Sequence, residues 1–374
     1  RRTIAIYQDG AGAYAARRTV VDPERAAAFA TRVPAGGVRL DLGCGPGLHL
    51  PLLGRPAVAA DAAPAMVAAA RARVPGTPGV VCDLAALPVR RGGLAGVWAS
   101  KCLQHVPRGD LPLALAGLHR ALAVGGVLDL TVFRHDADDG RSPATSDFPG
   151  RWYTWWEEQP LADLLVGAGF VVEEMAARTR PVPGSAAGAR GGAAARPFTR
   201  LEARTVRART LPDTVAPGMR LLVCGLNPSL YAADAGIGFA RPGNRYWPAV
   251  LAAGLATVDR SPDRALRDHG IGMTDIVKRA TTAAAELTAA EYRTGLARVA
   301  RLVAWLRPGA VCFVGLAGWR VAVDRHAVAG VQPEGLGGVP VYVMPSTSGL
   351  NARSQLAELT DHLRRAAALA DGRG

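Results

Sequence analysis

The sequence predicts an α/β protein with two domains in tandem. Three observations predict it. Short apolar runs that read as buried strands recur in both halves, and each ends in a polar, glycine-containing loop. A segment rich in Gly, Ala, Pro and Arg, residues 179–210, has the composition of a tether and separates the halves. The length, 374 residues with 49% hydrophobic, suits two cores rather than one.

In chain order, IAIYQDGAGAYAARR and a helix from Pro23 to Arg32 precede the first clear strand. Tyr7 and Tyr14 are candidates to cover a pocket as a lid; an N-terminal helix packed on a sheet edge explains them as well. VRLDLGCGPG (38–47) is an apolar strand running into a glycine-rich turn, with a helix expected from about Leu48. Gly43, Gly45 and Gly47 let the backbone approach a ligand where a side chain would collide. Twenty residues after Asp41, AVAAD (57–61) is a second strand ending in Asp61, an acid suited to two ribose hydroxyls. GVVCD (79–83) is a third strand, and its Asp83 can accept from an adenine amino group. GVWASKCLQHVP (96–107) reads as a fourth strand and its loop, with Gln104 and His105 as candidates to line an acceptor pocket. His105 as a simple helix cap is the competing reading. Cys102 lacks the preceding proline of enzymes that attack cytosine C5 and reads as a buried thiol. VGGVLDLTVFR (124–134) fits a fifth strand, and GFVVEEM closes the sheet. The aromatics of WYTWWEEQ (152–159) form either an acceptor wall or core.

Three consecutive strands ending in polar groups at this spacing resemble the class I S-adenosylmethionine-dependent methyltransferases, over residues 1–178. The resemblance implies a Rossmann-like domain with S-adenosyl-L-methionine as cofactor. Asp41 and the glycine loop would carry the cofactor's amino acid part, Asp61 its ribose and Asp83 its adenine. A nicotinamide dinucleotide fold competes. An acid before the turn and Pro46 inside it favour the sulfonium cofactor. The methyl acceptor is left unknown.

Between Arg178 and Arg220, nine arginines face two acids, Glu202 and Asp213. Such a tether holds a polyanion through counterion release, or is simply solvated.

In the second half, LLVC (221–224) is a short buried strand that turns on Gly225, and Pro228 stops it, which delivers Asn227 at the strand end. TAAE (288–291) is a capping box opening a helix to about Trp305. AVCFVG (310–315) and VPVYV (339–343) are further buried strands, the second followed by MPSTSGLNAR and a final helix near 354–369. The residues 367–374 are expected to fray. GLNPS (225–229), FARPGNRYW (239–247) and PSTSGLNAR (345–353) together resemble the mismatch-specific uracil/thymine-DNA glycosylases, over residues 210–366. This implies a uracil-DNA-glycosylase-like α/β/α sandwich over 211–366 that acts on double-stranded DNA carrying G·U or G·T mismatches, with no cofactor. Asn227 would position the attacking water. Gly225, Leu226, Ala232 and Phe239 would form the base pocket, with Phe239 stacking on the flipped base. Asn244 and Arg245 would pin the loop or touch phosphate. Ser346 and Ser348 would hold phosphates beside Gly349, Leu350 would fill the hole left by the base, Asn351 would read the widowed guanine, and Arg353 would hold phosphate or wedge. In the family, Ser five positions after the asparagine goes with uracil and Ala with acceptance of thymine; here it is Ala232.

Net charge of +13 and a pI near 10.4 agree with a nucleic-acid surface, although nearly all of it is Arg in an Ala/Gly/Pro-rich chain. Five scattered cysteines show no metal or cluster spacing, so a reducing cytoplasm and no metal are expected. No apolar run spans a bilayer and no signal peptide is visible. The expected protein is a cytoplasmic monomer, a methyltransferase fused to a mismatch-directed glycosylase. Two alternatives remain. The C-terminal half is a DNA-binding adaptor for the methyltransferase, or it acts on free nucleosides.

Overall fold

A computed structural model describes the chain except residues 19–21, 85, 136–137, 180–198, 352 and 373–374. It divides into two compact units, Arg1–Leu165 with Phe170–Arg207, and Val166–Gly169 with Ala208–Gly374.

The first unit opens with α1 (Arg2–Asp9), α2 (Ala11–Arg17) and α3 (Pro23–Arg32). There follow β1 (Arg39–Leu42), β2 (Ala57–Asp61), α4 (Pro64–Arg73), β3 (Gly79–Val81), β4 (Leu94–Ser100), α5 (Leu111–Ala121) and β5 (Leu122–Arg134). A two-stranded ribbon of β6 (Gly140–Arg141) and β7 (Trp152–Tyr153), then α6 (Glu158–Gly167), β8 (Phe170–Thr179) and β9 (Thr199–Arg207), complete it. The strands form a seven-stranded sheet in the order β3-β2-β1-β4-β5-β9-β8. β1 to β5 run parallel, and β9 is antiparallel to both neighbours. All four residues of β1 are buried, as a central parallel strand requires. Arg25 of α3 is buried on the sheet, paired with Asp129 and donating to the Leu130 carbonyl at 2.8 Å.

Two sequence expectations are corrected here. No helix follows the glycine loop: residues 48–53 are turns that bury Leu50 and Leu53. Pro46 and Pro51 remove donors from that stretch and break the helical ladder. The next helix is α4, after β2. Secondly, 199–207 is a strand of the sheet rather than tether. Its alternation was masked by charge: Leu201, Ala203 and Thr205 are buried, while Arg200 and Arg204 reach Asp22 and Glu174. The remaining tether expectation, over 180–198, lies outside the described residues.

The second unit contains β10 (Leu221–Gly225), α7 (Leu230–Ala235), α8 (Tyr246–Ala252), α9 (Pro262–His269), β11 (Ile271–Asp275) and α10 (Ala289–Leu306). It ends with β12 (Ala310–Val314), α11 (Leu316–Ala322), β13 (Gly330–Val331), β14 (Val341–Met344) and α12 (Leu356–Ala370). The five-stranded sheet runs β11-β10-β12-β14-β13, parallel except for β13. Leu221, Val223, Ala310 and Cys312 pack against Trp247 and Val250 of α8 and Leu359 and Leu363 of α12. The capping box at Thr288 and Glu291 is present and starts α10. Of the tail expected to fray, 367–370 belong to α12, Ala367 is buried and Asp371 pairs with Arg220 at 2.8 Å, while 373–374 lie outside the described residues.

Candidate functional sites

In the first unit, the loops leaving β1, β2, β3 and β4 border a cavity of about 490 Å³. Gly43, Gly45, Asp61, Asp83 and His105 line it, together with Tyr7, Tyr14, Lys101 and Trp152. Gly43 and Gly45 have φ of +64° and +51°, values that favour glycine. A Cβ on Gly43 would overlap that of Cys102, whereas one on Gly45 would meet only the Tyr14 ring, at 3.8 Å. The loop therefore presents bare backbone to the cavity. Gly43→Ala is expected to lower stability by about 2–4 kcal/mol through overlap plus backbone strain; urea unfolding of the variant beside wild type measures it.

Asp61 accepts from the backbone N–H of Gly45 at 3.0 Å and of Ala63 at 2.9 Å, which ties the ends of β1 and β2 together. Burial nonetheless pushes its carboxyl up, because the backbone donors offset only part of the lost solvation. Asp41 is fully buried beneath the loop, and burial, then Asp61, lifts it to about 8. Its Oδ2 has no hydrogen-bond partner. Gly47 packs on Ala70 of α4, and Gln104 is 2% exposed, so neither borders the cavity. His105 donates or accepts at both ring nitrogens, Nδ1 to the Trp152 carbonyl at 2.6 Å and Nε2 to the Tyr7 hydroxyl at 2.9 Å. A carbonyl can only accept, so Nδ1 carries the proton and Tyr7 donates to Nε2. Burial holds the imidazole neutral, down at about 4. Tyr7 and Tyr14 both border the cavity, Trp152 is on its rim, and Trp156 is core. The Cys102 thiol is buried and pushed up, the wrong direction for a nucleophile.

In the second unit the loop after β10 continues to pair with the loop after β11. Ile276, Val277 and Thr281 donate their backbone N–H groups to the carbonyls of Gly225, Leu226 and Pro228. This ladder fixes Asn227. Its Nδ2 donates to the Arg279 carbonyl at 3.0 Å, the Thr281 hydroxyl at 2.8 Å and the Pro228 carbonyl at 3.2 Å. The amide orientation is thereby set, and Oδ1 accepts no hydrogen bond among the described residues. Next to it, a Cβ on Gly225 would overlap Asp275 Oδ1 and come within 3.4 Å of Phe239 Cζ. Phe239 sits at φ +58°, a strained backbone for a non-glycine residue, and stacks on Tyr246 at 4.3 Å between ring centroids. Leu226 instead packs over Gly318. Ala232 is buried in α7 behind its Ser229 cap.

Sequence reasoning missed Asp275. It ends β11 opposite Gly225, and its carboxylate has no hydrogen-bond or ion-pair partner among the described residues. Burial raises it to about 6, against the pull of Lys278. The signal was available, since it is a strand-end acid in a sheet whose neighbouring strand leads into the loop that carries Asn227.

The FARPGNRYW and PSTSGLNAR loops meet. Arg245 N–H donates to the Thr347 carbonyl at 2.9 Å, and its guanidinium donates to the carbonyls of Ser348 at 3.1 Å, Asn351 at 2.6 Å and Ser354. These bonds tie the Arg245 side chain to the second loop. Asn244 Oδ1 accepts from Tyr246 N–H at 2.9 Å. Asn351 Nδ2 donates to the Ser346 carbonyl at 2.8 Å, which braces the loop. The Ser346 and Ser348 hydroxyls accept from Ser348 and Leu350 N–H, both at 3.3 Å. Gly349 packs on Gly243, where a Cβ would meet the carbonyl at 2.8 Å. Leu350 stands at the tip, 86% exposed, with Arg353 exposed nearby.

Among the described residues no cluster of His, Cys, Asp or Glu is arranged to hold a metal, and no helix is long and apolar enough to cross a membrane. Comparison with known proteins gives two family matches. The model described as a methyltransferase domain matches residues 40–126, and that of the uracil DNA glycosylase superfamily matches 212–369. A SAM-dependent methyltransferase from Methanosarcina mazei is 13% identical, with 51% of this chain and 99% of that one covered and a TM-score of 0.42. The Burkholderia thailandensis 1,6-didemethyltoxoflavin-N1-methyltransferase, solved with that compound and S-adenosylhomocysteine, is 22% identical, with 54% and 85% covered and a TM-score of 0.40. A glycine-loop cavity in one unit and an asparagine-bearing strand end in the other thus coincide with the two matches, and the chain carries a methyltransferase domain followed by a uracil DNA glycosylase superfamily domain.

Proposed function

We propose that the second unit hydrolyses the N-glycosidic bond of uracil, and of thymine, mispaired with guanine in double-stranded DNA, and that the first transfers a methyl group from S-adenosyl-L-methionine to a separate acceptor. The observation that supports the glycosylase reading is the spent Nδ2 of Asn227, which leaves Oδ1 turned to accept from a water molecule. An amide orients water but is too weak a base to deprotonate it early. The bond therefore breaks with positive charge building on the sugar and negative charge on the leaving base, and stabilising that base governs the rate. A base reaches such a pocket only by leaving the stack. Phe239, braced on Tyr246, offers it a ring, and the exposed Leu350 fills the vacated position. The small Ala232 supports acceptance of the C5 methyl. Single-turnover release of uracil and thymine from G·U and G·T duplexes tests this. Uracil release without any thymine release removes the thymine claim, and release of neither removes the whole reading.

Asp275 adds a pH dependence. Below about 6 its neutral carboxyl donates to a base carbonyl; above that, a carboxylate faces the charge accumulating on the base. Uracil release by wild type is expected to fall as pH climbs through about 6, and Asp275→Asn to flatten the profile. The same raised carboxyl disfavours the fold once it ionises. Asp275→Asn should therefore be more stable than wild type by about 1–2 kcal/mol at pH 7.5, with the gain gone below about pH 4.

In the first unit the bare backbone at Gly45 and the acids Asp61 and Asp83 along one wall fit S-adenosyl-L-methionine. Bound there, it supplies an electrophilic methyl on sulfur. The protein's task is alignment of an acceptor lone pair with that methyl, which positioning alone accelerates.

A further inference from the structure

The acceptor side of the first cavity contains a charge that no described residue answers. Lys101 directly follows β4 and borders the cavity. It adopts φ +60°, the left-handed region, in a non-glycine residue. Its ammonium has no hydrogen-bond or ion-pair partner among the described residues. The cations that flank it are already matched, Arg18 by Asp147 and Arg200 by Asp22. The patch is therefore one negative charge short. Burial, then Arg200 and Arg18, pulls Lys101 down to about 8, so the isolated ammonium is held at a cost that an anion would relieve.

Topology says which ligand supplies the anion. In the order β3-β2-β1-β4, the acids Asp61 and Asp83 lie at the ends of β2 and beyond β3, on one side of the glycine loop after β1. Lys101 lies at the end of β4, on the other side, with His105, Tyr7 and Trp152. The nucleotide half of the cofactor belongs to the first side. A volume of about 490 Å³ shared with a cofactor leaves room for only a small second molecule.

Resting on the methyltransferase reading of this unit, we propose that the methyl acceptor is a small organic anion whose charged group is seated on the Lys101 ammonium. The acceptor's nucleophilic atom gives its lone pair to the methyl carbon as the carbon–sulfur pair returns to sulfur. The sulfonium charge passes to the acceptor, and a proton carried by that atom leaves to solvent.

The test titrates the full chain, saturated with S-adenosylhomocysteine, with benzoate, inorganic phosphate and the neutral isostere benzamide, followed by NMR. Benzoate or phosphate is expected to bind at least about tenfold tighter than benzamide, and Lys101→Met to remove that margin while Lys101→Arg keeps it. Phosphate against benzoate tells which anionic group the seat prefers. The proposal is overturned if neither anion binds, if benzamide binds equally, or if Lys101→Met leaves the anions unaffected. It is also overturned if Lys101→Met weakens S-adenosylhomocysteine in parallel, which would assign Lys101 to the cofactor's own carboxylate. Failure of wild type to bind S-adenosylhomocysteine at all overturns instead the methyltransferase reading, and anion binding in its absence is then read separately.

Discussion

Asn227→Ala is expected to lower uracil release from a G·U duplex by roughly 10²–10³-fold under single-turnover conditions, the range seen when one preorganised polar contact to a transition state is removed. The argument rests on how the amide is held. Three acceptors, on Pro228, Arg279 and Thr281, take its N–H groups, so the oxygen faces one way with little freedom to turn. The variant loses the oriented water but keeps the ladder between the two loops, which is backbone to backbone. Its unfolding midpoint should stay within a few degrees of wild type, and affinity for the mismatched duplex should persist through the Leu350 loop. Release at an unchanged rate would show that another group positions the water.

The largest stability effect is expected at Asp213. It is buried, and receives Arg298 at 2.8 Å, Lys278 at 2.7 Å and the Thr274 hydroxyl at 2.7 Å. Asp213→Ala strands two buried cations and should cost about 3–5 kcal/mol, measured by urea unfolding at neutral pH. Desolvation opposes its ionisation, yet the net effect of Arg298 and Lys278 holds this carboxyl below its usual range. Its stabilising share is therefore full above about pH 4, the unfolded-state value, and is lost as pH falls through the lower folded value. The gap between wild type and variant should narrow in acid. Arg298 also donates to the Asp275 carbonyl at 2.9 Å, so the variant should excise more slowly as well as unfold more easily.

Much of this was legible in the residues. Apolar runs ending at Gly43, Asp61 and Gly225 mark strands because both faces of a central parallel strand are buried, and the three glycosylase-like motifs fall on three loops, two of which touch. What escaped notice did so for physical reasons. β9 carries three arginines, and the acids that pair with Arg200 and Arg204, among them Asp22, Asp129 and Glu174, come from elsewhere in the chain, so local composition reads as solvated tether. Asp275 looks like any strand-end acid until the register sets it against Gly225. Asn351 and Arg245 have the chemistry to touch DNA, and only the folded loops show their polar groups committed to carbonyls next door. Lys101 carries no motif at all; its interest lies in having no counter-ion among the described residues.

The position of β9 also bears on how the chain matures. It is the last strand of its sheet to be synthesised, yet it takes the place between β5 and β8. Until Arg207 has emerged from the ribosome, β5 presents an open edge and β8 has nothing to pair with. A nascent chain stopped at residue 178 therefore exposes sticky backbone, and an expression boundary placed there invites aggregation, whereas one placed after Arg207 closes the sheet.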